Sequence, residues 1–146
     1  MFYGPIAIAR FLAETYDLVS DDDDAWLCAQ MDSLVEIYEG MCKEILLIRR
    51  QPKHSQEEAW QDFKNGKLIK LMAYFSQTLR NNDTNWLVGK QVTWADLAIS
   101  DFFAFLVDKY DSTLLFDCPA IIKHIESIRA IPDIAEYISS RTELTK

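Results

Sequence analysis

The chain has 146 residues, 49% of them hydrophobic and 26% charged, with a formal net charge of −8. That length fits one domain with a sizeable core, and the apolar content excludes a disordered chain. A pI near 4.7 argues against nucleic acid, because neutralising phosphates needs clustered Lys and Arg and the best cluster is Arg49-Arg50. The longest unbroken apolar run, residues 102–107, is too short to cross a bilayer, and no basic leader followed by a long apolar stretch opens the sequence.

With only 4 Gly and 4 Pro, no Asn-Gly or Asp-Gly hairpin signal and no long β-branched alternation, the chain reads as all-α. Pro5, Pro119 and Pro132 stand where a helix can begin, since a missing N–H costs nothing there. A first helix is predicted over 5–15, with Ile6, Ala9 and Ala13 on one face. A long second helix begins within Asp21-Asp22-Asp23-Asp24 and ends at Arg50. Its apolar stripe is Leu27, Met31, Leu34, Tyr38, Met41 and Ile45, and both ends complement the helix dipole. Ser55-Gln56-Glu57-Glu58 reads as a capping box that opens a third helix. The third stripe is Trp60, Phe63, Leu68, Leu71, Met72, Phe75 and Leu79, with Gly66 a weak point and Asn81-Asn82 the stop.

A loop over 82–91 leads to a fourth helix, 93–110. That helix is so apolar between Trp94 and Asp108 that it should be central, with no wet face of useful width. Two short helices follow, 119–130 and 132–140, then a polar tail, 141–146, expected to fray. Val92-Thr93-Trp94-Ala95-Asp96-Leu97 reads as a reciprocal cap. Thr93 is set to bond the N–H of Asp96, Asp96 to reach back to the N–H of Thr93, and Val92 and Leu97 to form a hydrophobic staple. Such a cap is worth about 1–2 kcal/mol.

Catalytic constellations are not evident. The four aspartates lack the spacing and the glycine of a calcium loop. His54, expected in a loop, and His124, expected on a helix, have no ligand partners nearby, so no metal site is expected. Cys28, Cys42 and Cys118 form no CxxC pair, and Cys28 and Cys42 lie about 21 Å apart along one helix at ~1.5 Å per residue, too far to bridge. Their odd number suggests a reducing, cytoplasmic setting.

The segment Trp86-Leu87-Val88-Gly89-Lys90-Gln91-Val92-Thr93-Trp94-Ala95-Asp96-Leu97 resembles the approach to the central helix of glutathione transferases, and is nearest in wording to the sigma-like class that includes the prostaglandin D synthases. Ala7-Ile8-Ala9-Arg10-Phe11-Leu12-Ala13 resembles the last helix of that family's thioredoxin-like half. Ile128-Arg129-Ala130-Ile131-Pro132-Asp133-Ile134-Ala135-Glu136-Tyr137-Ile138 resembles its closing helices. The resemblance implies a C-terminal-type bundle of about five to six helices over 19–146, preceded over 1–18 by a remnant of the thioredoxin-like half.

Glutathione as co-substrate, a small hydrophobic electrophile, and conjugation or prostaglandin-type isomerisation are likewise what the resemblance implies for a complete family member. The family's four strands, early tyrosine and cis-proline turn have no counterpart here, so the chain alone is expected to bind no glutathione and to be inactive. Gly4 and Pro5 stand where the family usually carries Gln-Ser for glutathione, and Gly40, near Glu36 and Glu39, stands where sigma-like enzymes place an acid. Met41, Cys42 and Ala98 match the electrophile pocket. The family pairs through its long helices, here 22–50 and 55–80, which implies a homodimer. The other reading is a non-catalytic dimerisation or scaffold module. With the sheet of the other half missing, Ile6, Phe11 and Leu12 should form an exposed apolar patch.

Overall fold

The computed structural model describes residues 4–19 and 24–144, with side chains through 140. Among these residues the chain is all helical: α1 (Pro5–Thr15), α2 (Ala25–Arg50), α3 (Lys53–Phe63), α4 (Ile69–Asn81), α5 (Trp94–Lys109), α6 (Pro119–Arg129) and α7 (Pro132–Leu144). A π-helical turn, Lys64–Leu68, joins α3 to α4 without a break, so the seven helices make six rods.

Pro5 sits in the first turn of α1, as its fixed φ and missing N–H favour. Asp24 caps α2, its Oδ1 accepting the Trp26 N–H at 2.8 Å, and Arg49 and Arg50 lie in the last turn against the helix dipole. Asp21, Asp22 and Asp23 of the predicted acidic start lie outside the described residues.

The third helix departs from the sequence reading at its start. It begins at Lys53 behind Pro52, so His54 is helical and all four prolines open helices. Ser55 to Glu58 form no capping box there. Instead the Gln56 side-chain amide donates to the carbonyls of Arg49 (3.2 Å) and Gln51 (2.9 Å), closing the exposed end of α2.

The π turn explains an irregular stripe. Trp60, Phe63, Leu68, Met72, Phe75 and Leu79 are all buried, although Phe63 and Leu68 are five residues apart. In an unbroken α-helix of ~3.6 residues per turn that spacing throws Leu68 about 140° off the stripe. The wider turn takes up the extra residue and brings it back. Lys64, at the head of this turn, pairs with Asp111 beyond α5. That ammonium, with the Thr113 hydroxyl and N–H, holds the Asp111 carboxyl down at about 2.

Around α5 the core closes. It packs on α2 and α6, α4 packs on α6, and α3 packs on α2. Phe103 and Leu106 are completely buried, and Phe75 meets Phe103 edge-on at 5.7 Å. At roughly 25 cal/mol per Å² of apolar surface, each such side chain contributes about 2–3 kcal/mol. One correction concerns its outer edge: Asp101 and Asp108, two turns apart, are exposed, so α5 does keep a narrow wet strip. A second concerns α7, which stays helical to Leu144, through backbone predicted to fray.

Gly40 lies inside α2, and a Cβ built there meets nothing within 4 Å. Gly40→Ala is therefore expected to raise stability by about 0.5–1 kcal/mol, through the entropy that glycine loses in a helix. A higher urea midpoint at unchanged m-value checks it.

Candidate functional site

The end of α1 is tied to the start of α5. The Leu18 carbonyl accepts the Trp94 N–H at 2.9 Å, and the Gln91 amide donates to the Val19 carbonyl at 2.8 Å. Arg10 reaches across to Asp32 of α2 at 2.5 Å. Between the three helices lies a cleft of about 300 Å³, its walls mostly apolar, including Ile6, Leu12, Val35, Leu97 and Ala98, with Tyr16, Tyr38 and Trp94 as the residues that carry a polar side-chain atom. Along α1, Ile8, Phe11 and Leu12 are 45–49% exposed at positions that share one side of the helix. Phe11 and Leu12 thus lie as expected, while Ile6 is half-buried against the core.

The pocket residues taken from the resemblance are not equivalent. Met41 is fully buried in the core, whereas Cys42 and Ala98 are half-buried, and only Ala98 lines the cleft. Tyr38, which the sequence offered only as a stripe residue, sits on the cleft wall, edge-on to Phe102 at 6.1 Å and within hydrogen-bonding reach of Cys42. Burial pushes the Tyr38 phenol up to about 12 and raises the Cys42 thiol as well, so both groups stay protonated and neither is an activated nucleophile. Gly4 takes φ 103, a conformation open to glycine, and with exposed Pro5 it leads the chain into α1. Neither brings a side-chain donor. Glu36 is exposed, and Glu39 is half-buried and paired with Lys43 at 3.2 Å. Among the described residues, no group of three His, Cys, Asp or Glu side chains could hold a metal ion.

The densest polar construction is at the head of α5. Thr93 is the N-cap and the reciprocal cap is formed, the Thr93 N–H donating to Asp96 Oδ2 at 2.8 Å. The Thr93 hydroxyl donates to the same oxygen at 2.7 Å, and the Leu87 N–H from the preceding loop donates to Oδ1 at 2.7 Å. His124 of α6 stands 3.6 Å from Oδ1 and holds the Asn85 carbonyl through Nδ1 at 2.8 Å. The sequence showed the Thr93–Asp96 half. Leu87 and His124 had no periodic signal, because they join through tertiary packing. Burial lifts the Asp96 carboxyl above its usual range, against the pull of the Leu87 N–H, the Thr93 hydroxyl and His124.

A family model described as "Glutathione S-transferase, C-terminal domain" matches residues 42–141. A glutathione S-transferase of Plasmodium yoelii yoelii is 40% identical over 137 residues, 94% of this chain and 62% of that relative. The chain thus spans about 62% of that curated relative's length. Among solved structures, a monomeric glutathione S-transferase from the hookworm Necator americanus superposes with a TM-score of 0.85 at 23% identity, over 96% of this chain and 69% of that one. Rat hPGDS complexed with a quinoline superposes at 0.80 and 24%, over 95% and 67%. These two structures share the fold.

Because Asp96 accepts three donors in a dry site, Asp96→Ala is expected to cost about 3–5 kcal/mol, more than the cap alone, and Thr93→Ala about 1–2 kcal/mol. Asp96→Asn should do little better, since each carboxylate oxygen faces an N–H donor and an amide has one oxygen. A carboxyl raised on folding contributes fully below its unfolded value of about 3.9 and progressively less as pH climbs through its folded value. The margin of the wild type over Asp96→Ala should accordingly be wider at pH 4 than at pH 7 in urea titrations.

Proposed function

This chain belongs to the glutathione S-transferase C-terminal domain family, and on that premise we propose that it supplies the electrophile-side wall and the pairing face of a glutathione transferase. The observation that carries the reading is the apolar cleft between α1, α2 and α5, open beside the exposed Ile8, Phe11 and Leu12. A hydrophobic electrophile fits such walls, to which α5 contributes Ala98 and α2 contributes Tyr38, with Cys42 within hydrogen-bonding reach of Tyr38. In this reading residues 1–18 belong with a thioredoxin-like half, whose groups hold the glutathione thiolate; that anion is the nucleophile, because a free thiol is mostly protonated at neutral pH. The 146-residue polypeptide alone then lacks turnover. The Tyr38 phenol on the cleft wall is raised by burial to about 12, which keeps it from acting as an activated group, and Gly4-Pro5 offers no side chain to a γ-glutamyl group.

The sigma-like class is our finer placement, supported by the wording of residues 92–97 and by the shared fold of rat hPGDS; prostaglandin-type isomerisation is then an activity of the complete protein beside conjugation. The exposed Trp26, Leu47, Ile69 and Tyr74 on α2 and α4 support pairing of two copies through these helices, and would equally serve a non-catalytic dimerisation module. No helix among the described residues is long and apolar enough to cross a membrane, and the cysteines are free; we place the protein in the cytoplasm.

Two measurements on the purified chain test this. It should bind a dinitrophenyl electrophile, with affinity falling about tenfold in Ala98→Phe, yet conjugate glutathione no faster than the uncatalysed rate. Sedimentation at micromolar concentration should return a dimer. Robust turnover would overturn the division of labour, and binding indifferent to Ala98→Phe would remove the cleft as the electrophile site.

A further inference from the structure

Loop 82–91 is held from within by Asn82, whose amide donates to the carbonyls of Trp86 and Gly89, both at 3.0 Å. The Thr84 hydroxyl adds a bond to Gly89 at 3.1 Å. Its ties to the head of α5 and to α6 are the Leu87 N–H on Asp96 and the Asn85 carbonyl on His124 Nδ1. The second tie fixes the ring's tautomer. A carbonyl can only accept, so Nδ1 carries a proton and donates it. The other nitrogen, Nε2, has no hydrogen-bond partner although the residue is 2% exposed, and Asp96 Oδ1 stands 3.6 Å from it.

That leaves two states of the ring. Without a proton on Nε2, a lone pair faces a carboxylate oxygen across a dry gap. With one, a cation faces an anion, and the pair is neutral overall. At 3.6 Å the contact is too long for a hydrogen bond, so charge attraction is what distinguishes the states, and low local polarity strengthens it.

We propose that Asp96 and His124 form a proton-operated latch on loop 82–91, closed when Nε2 carries a proton and loosened when it does not. Other charges do not share the role. The described buried face of α4, which packs on α6, offers Met72, Phe75, Ser76 and Leu79. On α4, Lys70 and Arg80 are exposed; on α5, Asp101, Asp108 and Lys109; on the loop, Asp83 and Lys90; on α6 itself, Lys123, Glu126 and Arg129; and on α7, Asp133 and Glu136. The half-buried Cys118 at the start of α6 carries no charge as a thiol. Trp86 meets the ring edge-on at 6.2 Å and adds none. The latch bears on a surface, because Leu87, Val88 and Gly89 wall a cleft of about 780 Å³ with Gln30, Tyr74 and Thr78. Loosening the loop therefore reshapes that cleft while the interior of α5 stays put.

Amide hydrogen exchange on the full 146-residue chain, corrected for intrinsic rates, tests this between pH 5.5 and 8.5. Protection of the Trp86 and Leu87 amides should fall severalfold with rising pH across this range, while amides of mid-α5 hold constant. His124→Asn keeps a donor for the Asn85 carbonyl and removes the titrating nitrogen, so its loop protection should be flat across this range. Equal pH dependence in wild type and His124→Asn overturns the latch, as does a flat wild type. Nitrogen-15 shifts of the wild-type ring give an answer that does not depend on the variant folding. Both nitrogens protonated at pH 5.5, with Nε2 alone losing its proton on titration, supports the proposal. A ring that never titrates while folded, or that loses the Nδ1 proton, overturns it.

Discussion

One carboxylate buried at the head of the central helix sets the terms for much of this molecule. Helix α5 runs through the middle of the bundle, so the N–H groups at its head cannot turn to solvent, and an unmet buried donor costs about 1–3 kcal/mol. Asp96 answers the Thr93 N–H and hydroxyl with one oxygen and the Leu87 N–H with the other. The next donor, the Trp94 N–H, is met by the Leu18 carbonyl from the far end of α1. Three segments distant in sequence are thereby fixed to one point: the strap after α1, the loop before α5, and α6 through His124. The expense is a charge kept out of water, visible in a carboxyl raised above its usual range.

The functional surfaces follow from that fixing. With the strap bound to the head of α5, α1 lies across α2 and α5 and leaves a narrow apolar cleft rather than a sealed core. Arg10 on Asp32 pins its other side. The result is a helix with its inner edge seated on the bundle and its outer edge, Ile8 among it, turned away. Under the proposed function, this boundary is where the apolar wall on the electrophile side lies.

Most of the architecture could be read from spacing alone. Stripes at three and four residues, prolines at helix starts and the Thr93–Asp96 pattern are local, and local signals survive in a single sequence. The misreadings were also local, where two signals competed. Ser55 to Glu58 has the letters of a capping box, but Pro52 had already fixed φ three residues earlier, and Gln56 was drawn to the open carbonyls of α2. The five-residue step from Phe63 to Leu68 fits no α-helix that keeps both on one face, and the π turn between them accounts for it. In the site, Met41 shares a stripe with core residues and lies with them. Tyr38 reaches the cleft because α1 crosses just there, and His124 meets Asp96 because α6 packs beside α5. Neither crossing leaves a period in the sequence.

The π turn keeps the α3–α4 rod a single shaft whose packing residues stay in phase across one inserted residue. Its first half engages α2 and its second half engages α6. A helix can in this way carry an extra residue and still hold every packing side chain on one side, the surplus being absorbed by a wider turn rather than by a change of face.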